Sequence, residues 1–229
     1  MFDAKVFSEA FQLLFGADGE LRQIIWVTIQ MSFSSTLLSV CIGMPLGTLL
    51  GALSFRGKRL VLRTINTLMG LPPVVAGLIV FMFLSRSGPL GSLRLLFSIP
   101  AMVIAQVLLI TPIITGLTSS IISQKAPTIL ETTRGMGLSL VRSLSLVLWE
   151  CRAPLISVLL TGFGRAIAEV GAVQLVGGNV QSKTRVMTTA IMLETNKGNF
   201  SLAIALGIIL LLFSFLVNIL AQHLQEERV

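Results

Sequence analysis

Arg165 and Glu169 stand four residues apart inside an otherwise apolar run that starts at Ala153 and ends near Gly177 and Gly178. On a helix that spacing puts both on one face, within reach of each other. Charges deep in an apolar medium cost ~2.5–3.5 kcal/mol apiece, so the two groups need a purpose. Two purposes fit. The pair neutralises itself and locks its helix to a neighbour. Or it lines a path or gate for a charged solute, with Glu169 moderating Arg165 so that a divalent anion is attracted without being trapped. Gly162, Gly164 and Gly171 around the pair let another helix approach closely.

Other residues carry weaker chemistry. Thr111, Thr115 and Thr118, with Pro112 and Ser119 beside them, repeat at a spacing of three to four. Their hydroxyls can line an anion path, Pro112 freeing a backbone carbonyl, or can pack one helix on another. Pro72 and Pro73 are expected to kink their helix, as a gate element or as plain architecture. Lys183 and Arg185 attract an anion or a partner protein, or anchor the chain at the membrane surface. His223 reads as part of an exposed tail. Cys41 and Cys151 lack metal-ligand spacing and read as packing residues, and no metal site is expected.

A different signal lies at Glu131-Thr132-Thr133-Arg134-Gly135-Met136-Gly137. Pro127 can open a short helix there. Glu131 suits its early turns, and Gly135 or Gly137 suits its end. A short helix on a polar loop is a docking knob for a soluble partner. Glycine at 137 lets the chain turn sharply and the partner come close.

The scaffold for these residues follows from composition. Of 229 residues 54% are hydrophobic and 12% charged, with a mean hydropathy of +0.90. Soluble domains carry about 25% charged residues. A cytosolic enzyme, a disordered chain and a secreted disulfide scaffold are excluded, which leaves an integral membrane protein. At about 20 residues per crossing the length holds roughly five or six spans. The apolar runs are continuous and too long for barrel strands. Helices follow, because backbone polar groups in lipid must pair within their own segment. The expectation is an all-α integral membrane protein with a single domain over 1–229. Its spans fall at about 24–54, 64–85, 99–123, 155–178 and 199–222, with a polar cytoplasmic segment at 124–154. Within residues 1–20, Phe7, Phe11 and Leu14 share one helical face, which predicts an external amphipathic segment.

The net charge of +7 does not point to nucleic acid. The basic residues sit between apolar runs, where they anchor to membrane lipids. Arg56, Lys58, Arg59 and Arg63 occupy the first loop without an acid. The positive-inside rule then puts that loop, the 124–154 segment and the C-terminus in the cytoplasm, and the N-terminus outside. Met1-Phe2-Asp3 offers no basic region ahead of an apolar stretch, so no cleavable signal peptide is expected.

Glu131 and Gly137, at that spacing, resemble the coupling motif of ABC importer permeases, with Thr132 and Thr133 in place of two alanines. The family's Leu-Pro about twelve residues on is Trp149-Glu150 here. Gly164-Arg165-Ala166-Ile167-Ala168-Glu169-Val170-Gly171-Ala172 is similar to the segment that follows the coupling loop in molybdate, sulfate and tungstate permeases. Leu71-Pro72-Pro73-Val74-Val75-Ala76-Gly77, Gly177-Gly178-Asn179-Val180 and Thr184 to Ile191 look most like the tungstate branch. The resemblance implies a type I ABC importer permease fold in the prokaryotic cytoplasmic (inner) membrane, with Glu131, Thr132, Thr133, Gly135 and Gly137 coupling to the ATPase. It implies a homodimer that encloses the path, two ATP-binding subunits on the cytoplasmic coupling helices, and an extracytoplasmic oxyanion-binding protein. The cargo would be tungstate, with molybdate next. The chain has no P-loop sequence, so ATP and Mg belong to the partner ATPase and no cofactor is expected on this chain. The alternative is a secondary carrier or channel driven by an ion gradient. The lack of an evident inverted repeat and the coupling-like helix argue against it.

Overall fold

A computed structural model describes residues 19–226. The amphipathic segment expected over 1–20 therefore falls almost wholly outside the described residues. The described chain folds as α1 Gly19–Ala52, α2 Lys58–Met69, α3 Pro73–Leu84, a 3-10 turn Gly91–Leu93, α4 Ile99–Gly135, α5 Leu140–Glu150, α6 Arg152–Ile167, α7 Gly171–Gly177, α8 Met187–Lys197 and α9 Phe200–Glu226. Among the described residues there is no strand. Helices α1, α4 and α9 are long and apolar enough to cross a membrane. The pairs α2–α3 and α5–α6 make five if each is one broken span. The all-helical membrane class stands.

Two buried hydroxyls show how polar side chains inside these helices find partners without water. Thr28 Oγ1 donates to the Ile24 carbonyl at 2.7 Å and Thr48 Oγ1 to the Met44 carbonyl at 2.8 Å. Such back-bonding lets polar side chains sit in an apolar medium.

Within the described residues the contacts gather into two compact units. One comprises 19–35, 72–106 and 165–216, and the other 36–71, 107–164 and 217–226. In the first, Leu21 and Ile24 pack with Met187, Ala190 and Leu206. The Met187 N–H donates to Thr28 Oγ1 at 2.9 Å, so α1 satisfies the first amide of α8. Gly77 of α3 meets α7 backbone to backbone: a Cβ there would lie 2.6 Å from Ala172 Cα. Buried Gln106 bridges three elements. Ser35 Oγ donates to its Oε1 at 2.5 Å, and its Nε2 donates to the Ala166 carbonyl at 2.8 Å.

In the second unit, α1 presents a glycine stripe to α4. Cβ atoms on Gly43, Gly47 and Gly51 would strike Thr111 to Thr115, Thr115 to Thr118, and Ser119 to Ile122 respectively. Farther along α4, Ile122, Ala126 and Leu130 pack on Val147, Cys151 and Leu155.

Three local expectations need correction. Pro127 does not open a separate helix, because α4 runs unbroken from Ile99 to Gly135 with Pro127 inside it. An interior proline costs about 3 kcal/mol, and the burial of Ala126 and Leu130 on either side of it offsets that. The bend expected at Pro72 and Pro73 is present, but as a break between α2 and α3 and not as a kink in one continuous helix. Pro72 is extended and Pro73 opens α3 at its first position, where its missing N–H costs nothing. Finally, the fourth run is not one helix, because α6 stops at Ile167 and α7 starts at Gly171.

Candidate functional site

The surface expected to dock a partner is built by the end of α4 and by α5. The chain leaves α4 through a glycine turn. Gly137 has φ +71. The Leu138 N–H bonds to the Thr133 carbonyl and the Gly137 N–H to the Arg134 carbonyl, both at 3.0 Å. This pair of bonds is the Schellman ending, which asks for a left-handed residue where Gly137 sits. Gly135 is still helical, so of the two expected stops it is Gly137 that makes the turn. A Cβ on either glycine would meet nothing within 4 Å, so the turn is open to a partner.

Thr133 is buried, while Glu131, Thr132, Gly135 and Gly137 are exposed. Beside them runs a groove of about 530 Å³ lined by Lys125, Thr128, Thr132, Met136, Leu146 and Trp149. Met136 is 69% and Trp149 66% exposed, so the groove presents apolar surface beside the turn. The Arg152 guanidinium lies 4.1 Å from the Trp149 ring centre and donates to the Trp149 carbonyl at 3.0 Å, fixing the ring. Sequence reasoning missed Met136 and Trp149 as surface groups. An indole ahead of Glu150 and Arg152 at a helix end was the available signal.

The charged pair lies in the other unit. Arg165 Nη2 is 3.8 Å from Glu169 Oε2. The two do not share a helix face, because α6 has ended before Glu169. That carboxylate instead accepts the Ala172 N–H of α7 at 3.2 Å, and the Glu169 carbonyl accepts from Thr188 Oγ1 at 2.9 Å. These bonds satisfy the broken backbone and hold Glu169, whose side chain is 5% exposed against 45% for Arg165. Glu169 is thus a fixed acceptor, and Arg165 is the half of the pair that faces outward.

The hydroxyl candidates go elsewhere. Thr115 is 3% exposed and its Oγ1 donates to the Thr111 carbonyl at 2.7 Å. The Thr111 carbonyl and Thr115 Oγ1 lie against Gly43 of α1, and Thr111 Oγ1 is buried without a hydrogen-bond partner among the described residues.

The glycine-rich run after α7 is architecture as well. Gly178 has φ +67, and a Cβ there would lie 2.6 Å from the Phe97 ring. Thr184 Oγ1 latches to the Gly177 carbonyl at 2.6 Å, and Thr189 Oγ1 bonds Asn179 Oδ1 at 3.0 Å. Arg185 pairs with Glu20 at 2.8 Å, so it ties α1 to this loop and is not a loose surface charge.

Comparison with known proteins gives the family and the fold. The family described as "binding-protein-dependent transport system inner membrane component" matches residues 43–228. The tungstate uptake system permease protein TupB of Peptoclostridium acidaminophilum is 39% identical, the match covering 98% of each chain. TupB of Campylobacter jejuni is 38% identical over 96% of this chain and 92% of its own. A bacterial alginate ABC transporter, solved with an alginate pentasaccharide-bound periplasmic protein, has a chain of the same fold. Its TM-score is 0.77 at 17% identity, covering 95% of this chain and 82% of that one. A chain of broken and unbroken apolar helices with an open glycine turn, matched over most of its length, belongs to the family of inner-membrane components of binding-protein-dependent transport systems.

Proposed function

We propose that this chain is the permease subunit of an ATP-driven importer for tungstate, with molybdate next in preference. The observation that carries the proposal is a conjunction: near full-length similarity to tungstate permeases in a chain that presents an exposed, apolar docking turn at Gly137. Two copies of the chain enclose the path. Two ATP-binding subunits seat on the α4–α5 turn, supplying ATP and Mg chemistry. An extracytoplasmic binding protein delivers the anion from the other side. In this reading the α4–α5 turn and the C-terminus are cytoplasmic and the N-terminus is outside, in line with the basic first loop.

Arg165 is the member of the charged pair that meets the anion. Glu169, held by α7 and Thr188, sets how strongly Arg165 attracts it. The test is uptake by proteoliposomes carrying the permease, its ATPase and its binding protein, offered tungstate, molybdate or sulfate with and without ATP. ATP-dependent tungstate uptake is expected. Uptake that follows an ion gradient without ATP would replace this reading with a carrier, and a complex that ignores all three anions would remove the cargo.

A further inference from the structure

One buried amide meets the break after α6 from the side. Helix α6 ends at Ile167, so the carbonyls of its last turn lack helical partners. In a continuing helix the Val170 N–H would close on the Ala166 carbonyl. The chain offers that carbonyl the Glu169 N–H instead, at 3.4 Å, longer than the usual ~2.7–3.2 Å. A closer donor takes it: Gln106 Nε2 of α4 stands at 2.8 Å. A carbonyl can accept but not donate, so the amide has one orientation, with Oε1 turned away from it. Ser35 Oγ of α1 donates to that Oε1 at 2.5 Å. Gln106, Ser35 and Ala166 are all fully buried.

Both partners of the amide have a second choice. The Ser35 hydroxyl can turn to the Ser32 carbonyl, 3.1 Å away. The Ala166 carbonyl can turn to the Glu169 N–H. An apolar side chain of the same length at 106 would therefore strand neither group, and such exchanges are close to neutral for stability. What the amide changes is the competition for one carbonyl. With Gln106 on it, Glu169 stays off the end of α6. Its carboxylate takes the Ala172 N–H at 3.2 Å and its carbonyl takes Thr188 Oγ1 at 2.9 Å. Arg165 Nη2 then lies 3.8 Å from Glu169 Oε2, well outside the ~2.7–2.9 Å of a close charged hydrogen bond. Without the amide, the Glu169 N–H closes on Ala166 and carries α6 onward. Glu169 then turns toward the helix face of Arg165, four residues before it.

We infer that Gln106 is a positioning residue for the anion step. By holding the Ala166 carbonyl it keeps α6 broken and Arg165 loosely paired, so that the guanidinium keeps its charge for the permeant oxyanion. Gln106 acts through Arg165 and Glu169, and Ser35 acts through Gln106 by fixing its amide. The inference rests on the reading that Arg165 meets the oxyanion, and adds the residues that set how strongly it does so.

The experiment uses the whole complex with Gln106→Met, which keeps the length of the side chain and removes its donor. Hydrogen exchange reads the break directly. The Glu169 and Val170 amides are expected to exchange several-fold more slowly in the variant than in the parent, because α6 gains their bonds. Faster exchange, or a collapse of the thermal midpoint, assigns Gln106 to the fold alone and overturns the inference; unchanged exchange overturns it too. In proteoliposomes Gln106→Met is expected to slow ATP-dependent tungstate uptake several-fold, with Ser35→Ala slowing it less. The double variant should import no more slowly than Gln106→Met, because both changes act through one carbonyl. Parental uptake by Gln106→Met, or losses that multiply in the double variant, refute the positioning role. Arg165→Gln separates the two claims. If it imports at the parental rate, the anion reading fails and Gln106 loses its part in transport even where exchange slows. If it is impaired and Gln106→Met is not, the inference alone fails.

Discussion

The α1–α4 contact predicts a graded response to one methyl group. At Gly47 an added Cβ would stand 2.6 Å from the Thr115 carbonyl oxygen and 2.6 Å from Thr118 Cβ. Carbon atoms prefer about 3.5–4.0 Å, so the helices must part by about 1 Å there. At Gly43 the nearest atoms are Ile114 Cγ2 at 3.0 Å and the Thr111 carbonyl at 3.1 Å, and a shift of a few tenths suffices. Overpacking costs about 1–3 kcal/mol, and in lipid such close contact is itself the force that joins helices. Alanine returns about 1 kcal/mol through its better helix propensity. Gly43→Ala is therefore expected near neutrality, and Gly47→Ala about 1–2 kcal/mol less stable. Gly51→Ala, with Ile122 Cβ at 2.7 Å, should fall between them or match Gly47. The assay is thermal denaturation of the purified permease in one detergent. At about 2–4 °C per kcal/mol, Gly47→Ala should lower the midpoint by several degrees and Gly43→Ala by little. If Gly47→Ala melted at or above the parent, or Gly43→Ala proved the more harmful, the claim of a tight α1–α4 seam would fail.

Further predictions concern the turn, the pair and the loop. Gly137→Ala places a side chain at φ +71 and should cost about 1–2 kcal/mol, while Gly135→Ala, in helical geometry, should cost nothing; equal midpoints for the two would deny the Schellman turn. Gly137→Glu is expected to leave ATP hydrolysis running without import in the reconstituted complex, and normal import would dismiss the docking role. Trp149→Ala should weaken ATPase binding by ~1–3 kcal/mol, as for a central aromatic anchor, and unchanged affinity by titration would remove the groove from the interface. Glu169→Gln should still reach the membrane yet import more slowly; unimpaired uptake would return the pair to a purely structural role. At the end of α8, the Lys197 ammonium at 2.8 Å and the Asn199 amide at 2.9 Å hold the Glu194 carboxyl below the usual range, against the opposing effect of burial. Its stabilising contribution is full above the unfolded value near pH 4.3 and is lost as pH falls through the lower folded value. Glu194→Gln should flatten the acid limb of a stability-versus-pH curve, and an unchanged limb would show that the bonds do not hold in solution.

The sequence by itself determined the class. Low charge and unbroken apolar runs admit only helices in a membrane, and length limits their number, because backbone hydrogen bonding in lipid leaves no other choice. It also located the helix-ending turn at Gly137, which obeys local rules of helix ends that need no distant partner. Where helices stop inside an apolar run was not legible. Glu169 looked like a helix-face residue because spacing records only a period. The break after Ile167 depends on the Ala172 N–H donating to the Glu169 carboxylate and Thr188 Oγ1 donating to the Glu169 carbonyl, and Thr188 lies 19 positions away. Pro127 reads as a helix start until Val147, Cys151 and Leu155 are brought against Ala126 and Leu130. That Thr111 and Thr115 lie under the glycines of α1 is likewise not legible in their own spacing. In each case a local preference worth a few kcal/mol at most was outweighed by contacts between segments far apart in the chain, and those contacts exist only once the chain is folded.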